Sequence, residues 1–373
     1  MKKYITLLSI ILTIISCEVL EGPYDTKEDC AGIIGGDNIC GCPDSTAYNY
    51  NSLTTFNDET CCYVSGCTNP LALNYDSLAC FDNDSCLFDG SDIYGCTDVM
   101  ASNYNPLATI DDNNCIPFVK NVLIEDFTGH LCPNCPDAAR DFDAIHANHG
   151  ARVIGLAIHV STAFARPYPA SQTPKFQYDF RTQWGTEWDD FFGISNAGLP
   201  RGMVNRTLYP NDHGMGRAEW ANTVANELTK DIDFGINIST TTNAITINST
   251  VLNNLNGNYN LVICLTESYI INWQKDGQEN VEDYEHNHVL RTVLVDEPLS
   301  NTSNFISGQK IEKISNYDLS VLQQYNIDYS ANTAELGNGN AGGWVAENMS
   351  VIAYIYDNTT QEIVQVEEAH LTN

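Results

Sequence analysis

Two cysteines with two residues between them, Cys132-Pro133-Asn134-Cys135, have the spacing of a tight, reversible disulfide. An apolar, strand-like run, Val122-Leu123-Ile124, precedes them, and helix-forming Asp137-Ala138-Ala139-Arg140 follows. Strand, Cys-x-x-Cys, helix is the context that makes this motif a redox candidate. A cysteine in the first turn of a helix faces unpaired N–H groups and the positive dipole end, which stabilise a thiolate. The same pair could be a permanent staple or half a zinc site, but no second ligand pair with finger spacing follows, so no metal is expected here. His130 could tune a thiol, and an ordinary loop histidine is the plainer reading. A second constellation is Tyr284-Glu285-His286-Asn287-His288. On a strand its histidines would share a face and could bind a metal; lacking a third ligand at fixed spacing, they read as a structural polar cluster.

The elements that must position the cysteines come next. A second strand is expected over Arg152 to Val160 and a closing helix over about Arg217 to Lys230. Between them lie residues 161–195, including the aromatic stretch Phe176 to Phe192, which implies an inserted helix. From Asp233 onward apolar alternation dominates (Ile236, Ile238; Ile245, Ile247; Leu261, Ile263, Leu265), broken by Asn- and Gly-rich turns, and reads as an antiparallel β-sandwich. Cys264 lies in one such run and is expected to be a buried, inert thiol.

Asp126-Phe127, with the Asp six residues before Cys132, resembles the thioredoxin pattern. The resemblance implies that Cys132 attacks, Cys135 resolves and Asp126 is the buried proton acceptor. Gly198-Leu199-Pro200-Arg201-Gly202 is similar to the stretch holding that family's cis-proline, which makes Pro200 the implied partner of the redox pair. Pro-Asn between the cysteines departs from thioredoxin and leaves redox direction and potential open.

Most of the remaining cysteines follow an internal repeat. Cys42 and Cys61, Cys67 and Cys86, and Cys96 and Cys115 are each 19 apart and enclose aligned Ala-x-Asn-Tyr segments at Ala47, Ala72 and Ala101. Units this small need a staple, so one disulfide per repeat, first Cys to last, is expected; neighbour-to-neighbour pairing is the alternative. Cys30, Cys40, Cys62 and Cys80 could pair among themselves. The pattern resembles short Gly-Cys-Thr-Asp-type repeats of secreted marine Gram-negative proteins. Residues 18–117 hold 17 Asp+Glu and one Lys. Such oxygen-rich clusters read as a solvated acidic stalk, with calcium the alternative cofactor, although no complete EF-hand ligand set is present.

Overall the chain has 373 residues and a net charge of −31, which argues against nucleic acid as a partner. Fourteen cysteines suit an oxidising compartment. Met1-Lys2-Lys3 and the apolar run Tyr4 to Ile15 form a signal-peptide pattern too short to span a bilayer. Its end, Ile14-Ile15-Ser16-Cys17, resembles a lipobox and implies lipidation at Cys17.

Taken together, the lipobox, Glu125-Asp126-Phe127-Thr128-Gly129 leading into the Cys-x-x-Cys-Pro motif, Gly-Leu-Pro, and His286-Asn287-His288-Val289-Leu290-Arg291 look like the outer-membrane-protein-28-related lipoproteins, over about residues 118–373. The implied organisation is a signal peptide (1–16), acidic repeats (17–117), a thioredoxin-like α/β domain with a helical insertion (118–231) and an all-β sandwich (232–373). The expected protein is an outer-membrane lipoprotein of the cell envelope, with exposure at the cell surface left open. Its partners would be the membrane, through the anchor, and either protein thiols or a surface ligand bound without catalysis.

Overall fold

The computed structural model describes residues 28–87 and 92–372, so the signal segment and Cys17 lie outside the described residues. The chain is mixed α/β with a majority of strand, and most of its disulfides are in the N-terminal region. It divides into two compact units, one up to Ile93 and one from Tyr94.

The first unit contains two repeats, closed by Cys42–Cys61 and Cys67–Cys86, with Cys30–Cys40 before them and Cys62–Cys80 tying one repeat to the next. Inside each closed loop one asparagine acts as the internal brace. Asn49 accepts from the Cys62 amide and donates to the Thr60 carbonyl, and Asn74 does the same with Leu87 and Ser85. The acidic residues fold back on their own backbone: Asp58 accepts from the Thr60 amide and Asp82 from the Asp84 amide. These carboxylates therefore build turns.

The third repeat, closed by Cys96–Cys115, belongs to the larger unit. There the chain runs through β1 (Val122–Thr128), α1 (Cys135–His149), β2 (Val153–His159), α2 (Gln183–Phe192), β3 (Arg201–Val204) and α3 (Arg217–Glu227). It continues through β4 (Phe234–Thr241), β5 (Ala244–Val251), β6 (Tyr259–Glu267), β7 (Ile270–Asp276), β8 (Glu279–His286), β9 (Val289–Pro298), β10 (Lys310–Asn316), α4 (Leu319–Asn332), β11 (Met349–Asp357) and β12 (Ile363–His370).

One seven-stranded sheet has the order β12-β11-β6-β9-β2-β1-β3. Its junction is parallel, between β9 and β2, with Val289 opposite Ala157. Strands from both sides of the expected 231/232 boundary thus share one sheet. A three-stranded antiparallel sheet, β4-β5-β10, supplies Phe234, Ile236, Ile245 and Ile247 to a core completed by Leu261, Ile263, Val351 and Ile355 of the large sheet. Asn237 of β4 donates to the Ser102 carbonyl and Lys310 of β10 lies over the Tyr104 ring, which seats the third repeat on the smaller sheet.

The opposite face of the large sheet packs Leu123, Phe127, Leu156 and Ile158 with Trp188 and Phe192 of α2. Each such side chain contributes about 1.5–3 kcal/mol by leaving water. Among these apolar groups sits a buried ion pair, Arg206 with Glu125 at 2.7 Å, and Arg206 also donates to the Tyr354 hydroxyl at 2.8 Å. It links β1, the loop after β3 and β11.

Candidate active site

β1 carries nearly continuous apolar residues because it lies inside the sheet with both faces covered. Two acids interrupt the run, Glu125, ion-paired with Arg206, and Asp126, opposite Ala157 of β2 and Gly202 of β3. Past Thr128 the chain turns sharply at Gly129. A Cβ there would lie 2.3 Å from the Phe164 carbonyl oxygen, so only glycine allows this approach. The same carbonyl accepts from the Leu131 amide at 2.8 Å and holds the loop in place.

The loop ends in a Cys132–Cys135 disulfide with Cα atoms 5.5 Å apart. α1 starts at Cys135, so the cysteine in the first helical turn is Cys135, and Cys132 precedes the helix. The attacking role that the resemblance implies for Cys132 requires an exposed Sγ above a shielded Cys135; the structure differs, with Cys132 0% exposed and Cys135 2%. The cause is the β7–β8 hairpin. The Lys275 amide donates to the His130 carbonyl (2.9 Å) and the Gly277 amide to the Pro133 carbonyl (2.8 Å). Gln274 Nε2 donates to the Cys132 carbonyl (3.1 Å), and Asp276 pairs with Arg140 of α1 (3.0 Å).

Behind the disulfide lies a cavity of about 90 Å³, walled by Asp126 and Cys135, by Phe142 and Asp143 of α1, by His159 of β2, and by Tyr284, Glu285, His286 and His288. Asp126 Oδ1 has no hydrogen-bond partner among the described residues. Burial pushes this carboxyl up to about 7, near the pH at which a proton relay is useful. His159 stacks on Phe180 and His286 lies tilted against it, each with ring centroids 4.6 Å away, and His130 approaches the same ring at 5.7 Å. Burial lowers all three: His130 to about 4, His286 to about 3, and His159 well below its ordinary value. They are neutral at physiological pH.

His286 and His288 do not form the shared-face pair that their spacing suggests. β8 ends at His286, and His288 adopts a left-handed conformation (φ 56°), which sends its ring to Phe142 (5.1 Å) while His286 meets Phe180. Among the described residues no group of three or more His, Cys, Asp or Glu could hold a metal. Pro200 follows a cis peptide bond and leads into β3 beside β1, but it does not line the cavity. Cys264 is buried, and burial pushes its thiol above the ordinary range.

Sequence reasoning missed His159, Phe180 and Gln274. His159 closes the apolar run of the second strand, a position where a polar residue could have been read as facing a site. Nothing local marks Gln274.

Residues 188–373 match the family model for outer membrane protein Omp28. This segment, just under half of the chain, belongs to the Omp28-related family. Membership in a family of outer membrane proteins is consistent with a place in the cell envelope. No curated protein matches the chain.

Among solved structures, HBP35 of Porphyromonas gingivalis is 15% identical, with 68% of this chain and 76% of that one covered and a TM-score of 0.47. A protein from Agrobacterium tumefaciens is 12% identical, covering 68% and 96%, with a TM-score of 0.42. A domain of the outer membrane lipoprotein Omp28 from P. gingivalis is 19% identical, covering 39% and 94%, with a TM-score of 0.21. All three TM-scores are below 0.5, and no role is read from these likenesses. Among the described residues no helix is long and apolar enough to cross a membrane.

Proposed function

We propose that this Omp28-related protein is a lipid-anchored component of the cell envelope that carries out thiol–disulfide exchange through Cys132 and Cys135. In this reading β1, β2, β3, α1 and α3 form a thioredoxin-like portion. The β4-β5-β10 sheet and the strands facing it form a β-sandwich, and the acidic repeats are a spacer from the anchor at Cys17. The observation that carries the reading is Asp126: a carboxyl held near neutrality, its Oδ1 without a partner among the described residues, in the same cavity as Cys135. When a mixed disulfide resolves, one thiol must lose a proton, and Asp126 can take it.

Oxidised protein equilibrated with buffers of 2-mercaptoethanol, a small thiol without a charged group, tests this directly. The pair is expected to equilibrate, with a rate that turns over near pH 7 in the wild type and loses that turn in Asp126→Asn. A disulfide that 2-mercaptoethanol cannot open, with no pH inflection, would end the proposal.

One observation favours a second reading. Complete burial of Cys132 beneath the hairpin suits a permanent staple, and the protein would then be a non-enzymatic surface binding or adhesion lipoprotein. For the anchor, the expected result is that a fatty-acid probe labels the full chain and not Cys17→Ala; equal labelling of both would remove the lipid from the account.

A further inference from the structure

The cavity beside the disulfide has a mouth and a floor of unequal character. Exposed Asp143 and Glu285 stand at its rim, and Asp126 lies inside. His159, His286 and His288 line it as well, yet burial lowers all three, so they bring no positive charge at neutral pH. His159 is 4% exposed and His286 5%, and neither His159 Nδ1 nor His286 Nε2 has a hydrogen-bond partner among the described residues. These are unused polar atoms in a cavity lined by carboxylates and by no lysine or arginine. Cys135 forms part of the wall and Cys132 does not.

From this geometry, and resting on the exchange reading, we infer that the reactants of this disulfide are small thiols with no anionic group besides the reacting sulfur, which enter through the cavity and attack Cys135. The hairpin bonded across residues 130–133 keeps folded-protein thiols away from Cys132. The step balances as an ordinary exchange. A thiolate RS⁻ bonds to Cys135 Sγ, the Cys132–Cys135 bond breaks, and Cys132 leaves as thiolate and takes up a proton. A second RS⁻ attacks the mixed disulfide, giving RSSR and reduced Cys135; the two electrons pass from the small thiols to the protein. Carboxylates around a narrow entry repel an anionic thiol and attract a cationic one.

The test uses the full oxidised chain with cysteamine, 2-mercaptoethanol and mercaptoacetate. Each rate at fixed thiolate concentration is divided by that thiol's rate on an uncharged reference disulfide, which removes intrinsic nucleophilicity. At low ionic strength cysteamine is expected to exceed mercaptoacetate about tenfold, with 2-mercaptoethanol between them, and salt should compress the range several-fold. Asp143→Asn with Glu285→Gln should narrow it too. With cystamine as probe, Cys132→Ser should take the adduct on Cys135 about tenfold faster than Cys135→Ser takes it on Cys132. Equal normalised rates, or faster capture at Cys132, would overturn the inference and leave exchange standing. Reduction by none of the three thiols until the chain is unfolded in urea would overturn exchange itself.

Discussion

Asp126→Asn is expected to make the protein more stable at pH 8 by about 2–4 kcal/mol, while costing it proton transfer. The sign follows from burial. Asp126 titrates at about 7 in the folded chain against an ordinary 3.8, so between these values the native state holds a proton that the unfolded state has released. Stability therefore rises as pH falls from 7 toward 4. Above pH 7 the full cost of an ionised buried carboxylate is present, and the lower figure allows for screening where the cavity opens.

Asparagine carries no such charge, so the two proteins should differ most at alkaline pH and converge near pH 4. Buried His130 and His286 act in the opposite sense in both. They refuse protons that the unfolded chain accepts below about 6.5, and so destabilise the fold as pH drops. Urea denaturation of wild type and variant from pH 4 to 9 measures the difference. A gap that stays constant across that range would show that Asp126 is ionised throughout.

Glu125→Ala should cost about 3–5 kcal/mol, because it strands the Arg206 guanidinium in the core. Glu125 is 0% exposed and Arg206 3%, and the cation is enclosed by Phe192 and Tyr354, whose ring centres lie 4.7 and 5.2 Å away. The apolar double variant Glu125→Leu with Arg206→Met should recover most of the loss, since desolvation offsets much of the attraction in such pairs. The denaturation midpoint at unchanged slope reads both effects. A single-variant loss under 1 kcal/mol would mean that water reaches Arg206.

The local parts of this fold were legible in the sequence. The apolar run at Val122, the motif and the following helix announce β1, the loop and α1. The aromatic stretch ending at Phe192 contains α2, and Arg217 opens α3 as its pattern suggests. Each of these signals sits within one element and follows side-chain periodicity. The parallel seam between Val289 and Ala157, which merges two expected domains into one sheet, has no local signature, because pairing between distant strands leaves no mark on either. Burial of Cys132 was hidden for the same reason: its cover comes from Gln274, 142 residues further along. His288 eluded the strand reading through a positive φ that a non-glycine residue adopts rarely.

That long separation also orders events in the life of the chain. The hydrogen bonds over residues 130–133 cannot form until Gln274 to Gly277 have been delivered and folded. Until then the two sulfurs are open to whatever oxidants and thiols surround the emerging protein. Cover comes last, with the arrival of the distant hairpin. Partners too bulky for the cavity therefore have their access to the pair only before the hairpin docks, and afterwards only the small thiols that the cavity admits can reach it.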